Sequence, residues 1–286
     1  SLAAPVMQTF FPGELDWVYR TPAMVYNKDS CILLVFSNAT TAVGRHRRLA
    51  MRKFLFDRGR NFSPMTQIVR EASLPGHSSM NPCPMFDEEN RKLFLFFMVT
   101  SNEHLHEEHL FYKSRLCYIT SNNFGHSWSE VNHLTVCLPE NCIALAIGRG
   151  HGLQTEDGRL IIPTFAFIDE NPTDDKPVPH AVALYSDDAE CQMAEVWGHG
   201  GRFIYCNAIN KDRRLVEAFS EDNGDTFIVS EDGKFANTCT GSPGSLLSFP
   251  VKDKTAMGSD VSPSPNRWLN LLPKQQQKNK IQNIKQ

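Results

Sequence analysis

Ser121-Asn122-Asn123-Phe124-Gly125-His126-Ser127-Trp128 is followed about a hundred residues later by Ser220-Glu221-Asp222-Asn223-Gly224-Asp225-Thr226-Phe227. Both stretches fit Ser-x-(Asp/Asn)-x-Gly-x-(Ser/Thr)-(Trp/Phe). A short polar side chain at the third position can hydrogen-bond backbone N–H groups further along the turn. Gly at the fifth permits a positive φ, and the final aromatic has a large ring to bury under the hairpin. A hairpin turn that recurs in a β-rich chain predicts a repeated sheet unit, as in a propeller. A third copy starts at Tyr185-Ser186-Asp187-Asp188. It then runs into Ala189-Glu190-Cys191-Gln192 without the Gly or the aromatic.

Strand signals surround these turns. Residues 23–26, 31–36, 92–99, 115–120, 159–162, 181–185, 203–206, 215–219 and 246–249 are short apolar or alternating runs. Turn residues bound most of them: Asp157-Gly158, Gly200-Gly201, Asn223-Gly224, Asp232-Gly233 and Ser242-Pro243-Gly244. Few segments keep a helical period, so the expected class is all-β, a propeller or a sandwich. From Lys274 the chain is polar and low in complexity, and is expected to be disordered.

Composition narrows the function classes. The 286 residues are 41% hydrophobic and 21% charged, with a net charge of −3. That is an ordinary globular profile, which gives a nucleic-acid partner no general support. No apolar run approaches the roughly 20 residues of a membrane span. The longest candidate, Leu93-Phe94-Leu95-Phe96-Phe97-Met98-Val99, reads as a buried strand. The N-terminus lacks the basic and apolar regions of a signal peptide. The eight cysteines stand singly, with no Cys-x-x-Cys, and are expected to be free thiols in a reducing compartment. Asn38-Ala39-Thr40 and Asn61-Phe62-Ser63 match the glycosylation pattern, and both are read as chance.

The repeated turn is an Asp-box, and the segments around it resemble the vertebrate cytosolic and membrane-associated sialidases. Tyr19-Arg20-Thr21-Pro22-Ala23 is similar to their Tyr-Arg-Ile-Pro-Ala. Ser79-Met80-Asn81-Pro82-Cys83-Pro84 follows, then Gly150-His151-Gly152-Leu153-Gln154, Glu190-Cys191-Gln192, Tyr205-Cys206-Asn207-Ala208 and Gly241-Ser242. The series keeps its order across roughly residues 15 to 250. The resemblance implies a six-bladed β-propeller, incomplete here. Its divisions would be an N-terminal extension (1–14), the propeller (15–272) and a polar tail (273–286). It further implies exo-α-sialidase activity on gangliosides, glycoproteins and oligosaccharides, with no metal or organic cofactor. The location would be cytoplasmic or peripheral to a membrane, including plasma membrane or lysosome.

Sialic acid carries a carboxylate on its anomeric carbon, and planar guanidinium forks match carboxylates. The family departs from the two-carboxylate glycosidase scheme by using a Tyr nucleophile, activated by Glu, with an Asp as acid/base. Arg20 matches the first carboxylate-binding arginine, and Glu190 the activating Glu. The rest departs. The second arginine falls where the chain reads Asn38-Ala39-Thr40-Thr41, and the acid where it reads Gly44-Arg45-His46-Arg47-Arg48. A further arginine is replaced in Asn207-Ala208-Ile209. Two sugar-contacting tyrosines correspond to Phe165 and Phe167, which lack the hydroxyl. A substrate-binding Glu falls on Asn141, beside Glu140. The match stops near Trp268-Leu269, before a final arginine and the Tyr nucleophile.

Losing a general acid costs about 10²–10⁴ in rate. The expectation is therefore little turnover, with a glycan- or protein-binding module or a truncated gene product as alternatives. Three other features stand apart. The basic run at residues 45–53 reads as a contact for anionic lipid, a His46 acid, or simply a solvated loop or strand edge. The cluster Glu103-His104-Leu105-His106-Glu107-Glu108-His109 lacks the spacing of a helical zinc site and is read as a loop. His151 is read as a structural turn residue.

Overall fold

The computed structural model describes residues 17–27, 29–41, 47–55, 66–105, 113–134, 140–148, 150–155, 158–169, 177–186, 194–198, 201–209, 215–222 and 226–229. Among these the only helical pieces are 3-10 turns; everything else regular is strand. The first sheet contains β1 (Trp17–Asn27), β2 (Ile32–Thr41), β3 (Arg47–Leu55) and β4 (Gln67–Ile68), in that order. The second contains β5 (His77–Asp87), β6 (Lys92–Ser101), β7 (Arg115–Ser121) and β8 (Asn132–His133), again in order. The third contains β9 (Cys142–Ile147), β10 (Leu153–Gln154), β11 (Leu160–Ile168) and β12 (Val178–Ser186). Here β9 and β10 both pair with β11. The fourth runs β13 (Ala194–Gly198), β14 (Gly201–Ile209), β15 (Leu215–Ser220) and β16 (Ile228–Val229). The chain divides into two compact units: the first two sheets lie in one and the fourth in the other, with β10 to β12.

The local chemistry explains the hairpins. Between β1 and β2, the Asn27 carboxamide oxygen accepts from Ser30 N at 2.8 Å and Ser30 Oγ at 2.6 Å. Between β5 and β6, Asp87 accepts from the N–H groups of Glu89 and Asn90, each at 3.1 Å. Both are side-chain-closed turns. The core of the first unit lies between its two sheets. Ile32, Leu34, Phe36, Leu49 and Met51 from one side meet Leu93, Leu95, Phe97, Val99, Cys117 and Ile119 from the other. The whole run from Leu93 to Val99 is buried on both faces of β6, as its unbroken apolar sequence predicts.

The structure differs from the sequence-based expectation in several elements. The described part of the basic run is not a loop: Arg47–Leu55 is β3, paired along its length with β2 and at Ala50 and Met51 with β4. Strand β5 was hidden by Pro82 and Pro84, which argue against a strand interior; a bulge between Met80 and Cys83 accommodates Pro82. Strands β9 and β13 are not among the expected runs, and β1, β11, β12 and β14 extend beyond their apolar cores. The broken third turn begins where β12 ends, at Ser186, and β13 already belongs to the next sheet. Residues 246–249, the tail, and the boundaries at 14/15 and 272/273 lie outside the described residues.

Candidate functional site

The two Asp-boxes sit between the third and fourth strands of their sheets, after β7 and after β15. In the first, Ser121 Oγ donates to Asn123 Oδ1 at 2.9 Å and accepts from Gly125 N at 2.9 Å. Asn123 Oδ1 also accepts from Ser127 N at 2.9 Å, while Asn123 Nδ2 donates to Ser127 Oγ at 2.8 Å. Gly125 has φ +77° and Phe124 φ 54°. In the second, Ser220 Oγ donates to Asp222 Oδ1 at 2.7 Å and Thr226 N to the same oxygen at 2.8 Å. The Thr226 hydroxyl donates to Asp222 Oδ2. The Ser220 hydrogen bond first, then those from Thr226, pull the Asp222 pKa down to about 2. Gly224 lies outside the described residues, and Phe227 is half-buried. These residues shape the scaffold.

The chemistry-bearing side chains gather at two matched irregularities. In β1 a bulge falls between Arg20 and Ala23, and in β5 one falls between Met80 and Cys83. Thr21 and Asn81 both have φ 56°, and each precedes a proline. A positive φ is a genuine outlier for a β-branched Thr, and such outliers cluster at functional sites. Asn38 holds the two bulges together. Its Oδ1 accepts from Asn81 N at 2.9 Å, and its Nδ2 donates to Thr21 Oγ1 at 3.4 Å. Ser37 Oγ donates to the Arg20 carbonyl at 2.7 Å. Sequence reasoning saw in Asn38 only a lost arginine segment; in the fold it is a buried bridging amide. Its burial also removes it as a glycan acceptor.

Arg20 is exposed on β1, opposite Asn38. Arg47 starts β3, opposite Thr40, and is half-buried. Its backbone N donates to Ser78 Oγ at 2.9 Å, and its Nη1 lies 3.7 Å from Met80 Sδ. Burial first, then the like charge of Arg20, push the Arg47 pKa below the ordinary arginine value. Burial likewise lowers His151, raises Cys83, and pushes the Cys117 thiol up to about 11. Cys31, Cys83, Cys117 and Cys142 are in no disulfide, and Cys31 and Cys142 are only partly buried.

In the second unit, Phe165 and Phe167 share one half-buried face of β11, two residues apart. Asn141 is exposed ahead of β9. Its Nδ2 donates to the Asp169 carbonyl at 3.4 Å, and its carbonyl accepts from Asp169 N at 2.8 Å. Glu190, His46, His106 and His109 lie outside the described residues, as does the side chain of Ala208.

The BNR repeat-like domain model matches residues 33–248. The chain is 32% identical to mouse sialidase-3 over 82% of its own length and 63% of that relative's. It is 31% identical to sialidase-2 of Cricetulus griseus over 90% of its own length and 76% of that relative's. The chain belongs to the sialidase family. Solved structures agree on the fold. The Hadza microbial sialidase Hz136 superposes with a TM-score of 0.60 at 15% identity, covering 75% of this chain and 47% of that one. Trypanosoma rangeli sialidase in complex with the inhibitor DANA does so with 0.54 at 16% identity, covering 75% and 38%. The four sheets are thus blades of the sialidase propeller fold. The chain spans 63% of mouse and 61% of human sialidase-3.

Proposed function

We propose that this sialidase-family chain recognises terminal sialic acid and that its reaction is exo-α-sialoside hydrolysis. The observation that carries the reading is Arg20, exposed on β1, the end strand of the first sheet, beside a strained Thr-Pro bulge. A guanidinium there suits the sugar carboxylate. Phe165 and Phe167 would offer apolar rings to the sugar, Asn141 an amide, and Glu190 the base that activates a nucleophile. Gangliosides, glycoproteins and oligosaccharides are the substrate classes. No helix among the described residues is long and apolar enough to cross a membrane. A peripheral location on plasma or lysosomal membrane, or a cytoplasmic one, fits this reading.

A second reading is favoured by the residues around Arg20. Asn38, Thr21, Asn81 and Ser37 are neutral, and residues 37–48 carry no carboxylate to serve as acid. Such a surface binds sialosides without turning them over. One assay separates the two: release of fluorophore from a fluorogenic sialoside at mildly acidic pH, beside Glu190→Ala and Arg20→Ala. Release lost in both variants supports hydrolysis. Glycan binding that Arg20→Ala removes, with no release, supports recognition alone. Neither release nor binding by the folded chain sinks both.

A further inference from the structure

Strand register places two cations side by side. Arg20 is opposite Asn38, and Arg47 is opposite Thr40. Asn38 and Thr40 are two apart on β2, so all four side chains stand on one face of the sheet. Arg20 and Arg47 flank the central strand there, close enough for the charge of one to act on the other. Among the described residues no ion pair joins either guanidinium to a carboxylate. The polar groups nearby are the neutral amide of Asn38 and the hydroxyls of Thr21 and Ser78.

This arrangement is costly as it stands. A guanidinium stays protonated under all ordinary conditions, so half-burying one beside a like charge leaves repulsion that no carboxylate among the described residues offsets. Arg47 is nonetheless held in place. Its backbone is tied to Ser78, and its head rests on Met80 of the neighbouring blade. A group pinned in an unfavourable charge state is arranged for an opposite charge that arrives later.

We infer that Arg20 and Arg47 together form one oxyanion site, with Arg47 on β3 supplying the second guanidinium that β2 lacks. The ligand class is a carboxylate or a comparable oxyanion, gripped between two forks. Its identification as the carboxylate of sialic acid rests on the function proposed above; the paired-arginine site does not.

The test uses the full chain, with free sialic acid, its methyl ester and inorganic sulfate as probes, at matched ionic strength. Titration calorimetry reads affinity, and circular dichroism confirms folding. Sialic acid is expected to bind, with its ester at least about tenfold weaker. Arg47→Gln and Arg20→Gln are each expected to lose about tenfold or more. Arg47→Lys, which keeps stem and charge but not the fork, also weakens binding and carries the test should Arg47→Gln not fold. Sulfate binding that needs both arginines, with no response to sialic acid, upholds the site and removes the sialoside reading. Binding that Arg20→Gln abolishes while both Arg47 variants leave it unchanged overturns the inference. So does the absence of any arginine-dependent response to either anion.

Discussion

Trp128 meets Phe36 edge-on, with ring centroids 6.2 Å apart and planes at 70°. Phe36 belongs to the first blade, and Trp128 closes the Asp-box of the second. The aromatic of the motif therefore does more than cover its own hairpin. It staples its blade to the preceding one, while Phe124 stacks on Phe86 at 5.4 Å. Trp128→Ala is expected to cost about 2–4 kcal/mol, in the range for large-to-small core changes and short of its top because the ring is half-buried. Trp128→Phe, which keeps an aromatic edge, should cost less. Urea unfolding of the two variants checks this; equal losses would mean that the box aromatic matters only for its bulk.

Gly125 is constrained in two ways. Its φ of +77° lies in the left-handed region, and a Cβ there would come within 2.8 Å of Met51 Sδ and 3.2 Å of Trp128 Cζ2. Gly125→Ala is expected to lose about 1–2 kcal/mol from the backbone alone, and more from the contacts. Placing Gly125→Ala in a Met51→Ala background should recover the steric part only. A double-mutant cycle measures that part as a coupling. Strict additivity would refute the close contact.

The two Asp-boxes differ in one titratable atom set. Asp222 has its pKa lowered to about 2, chiefly by the Ser220 and Thr226 hydrogen bonds, whereas Asn123 does not titrate. An unfolded Asp titrates near 3.9. The stabilisation from Asp222 is thus present above about pH 4 and fades as pH falls towards 2. Asp222→Asn should flatten the stability profile across that window, and Asn123→Asp should add a second acid-sensitive step. Acid titration followed by circular dichroism reads both.

His151 works in the opposite pH range. Burial lowers its pKa in the folded chain, so the unfolded chain takes up a proton near pH 6.5 that the folded chain resists. Stability attributable to His151 is complete above that pH and declines below it. His151→Gln should unfold with a shallower dependence between pH 7 and 5 than the natural chain. Parallel profiles would show that His151 is not the group responsible.

Asn38 is the buried bridge between the Thr21 and Asn81 bulges. Asn38→Ala leaves the Asn81 N–H without its acceptor, which should cost about 1–3 kcal/mol. Because the Thr21 bulge begins at Arg20 and Asn38 lies opposite it, sialic acid binding should weaken along with stability. Thermal unfolding and the titration described above check the pair of effects together.

Much of this was legible in the chain itself. The Asp-box positions follow from local chemistry: a Ser hydroxyl, an Asx side chain and a Gly reach each other within five residues, so sequence spacing alone sets their geometry. The double burial of β6 follows from its unbroken apolar run. Those signals are short-range or periodic, and such signals survive in one dimension.

What only the tertiary structure decided involves residues from separate strands. Pro82 argued against a strand until the bulge absorbed it. Asn38 looked like a loss until the fold set it between two bulges in different blades. Arg47 looked like one member of a solvated basic run until strand register set it beside Arg20 and the next blade half-buried it over Met80. Register and blade-to-blade docking depend on the packing of the whole core. No spacing along the chain encodes which cation ends up facing which.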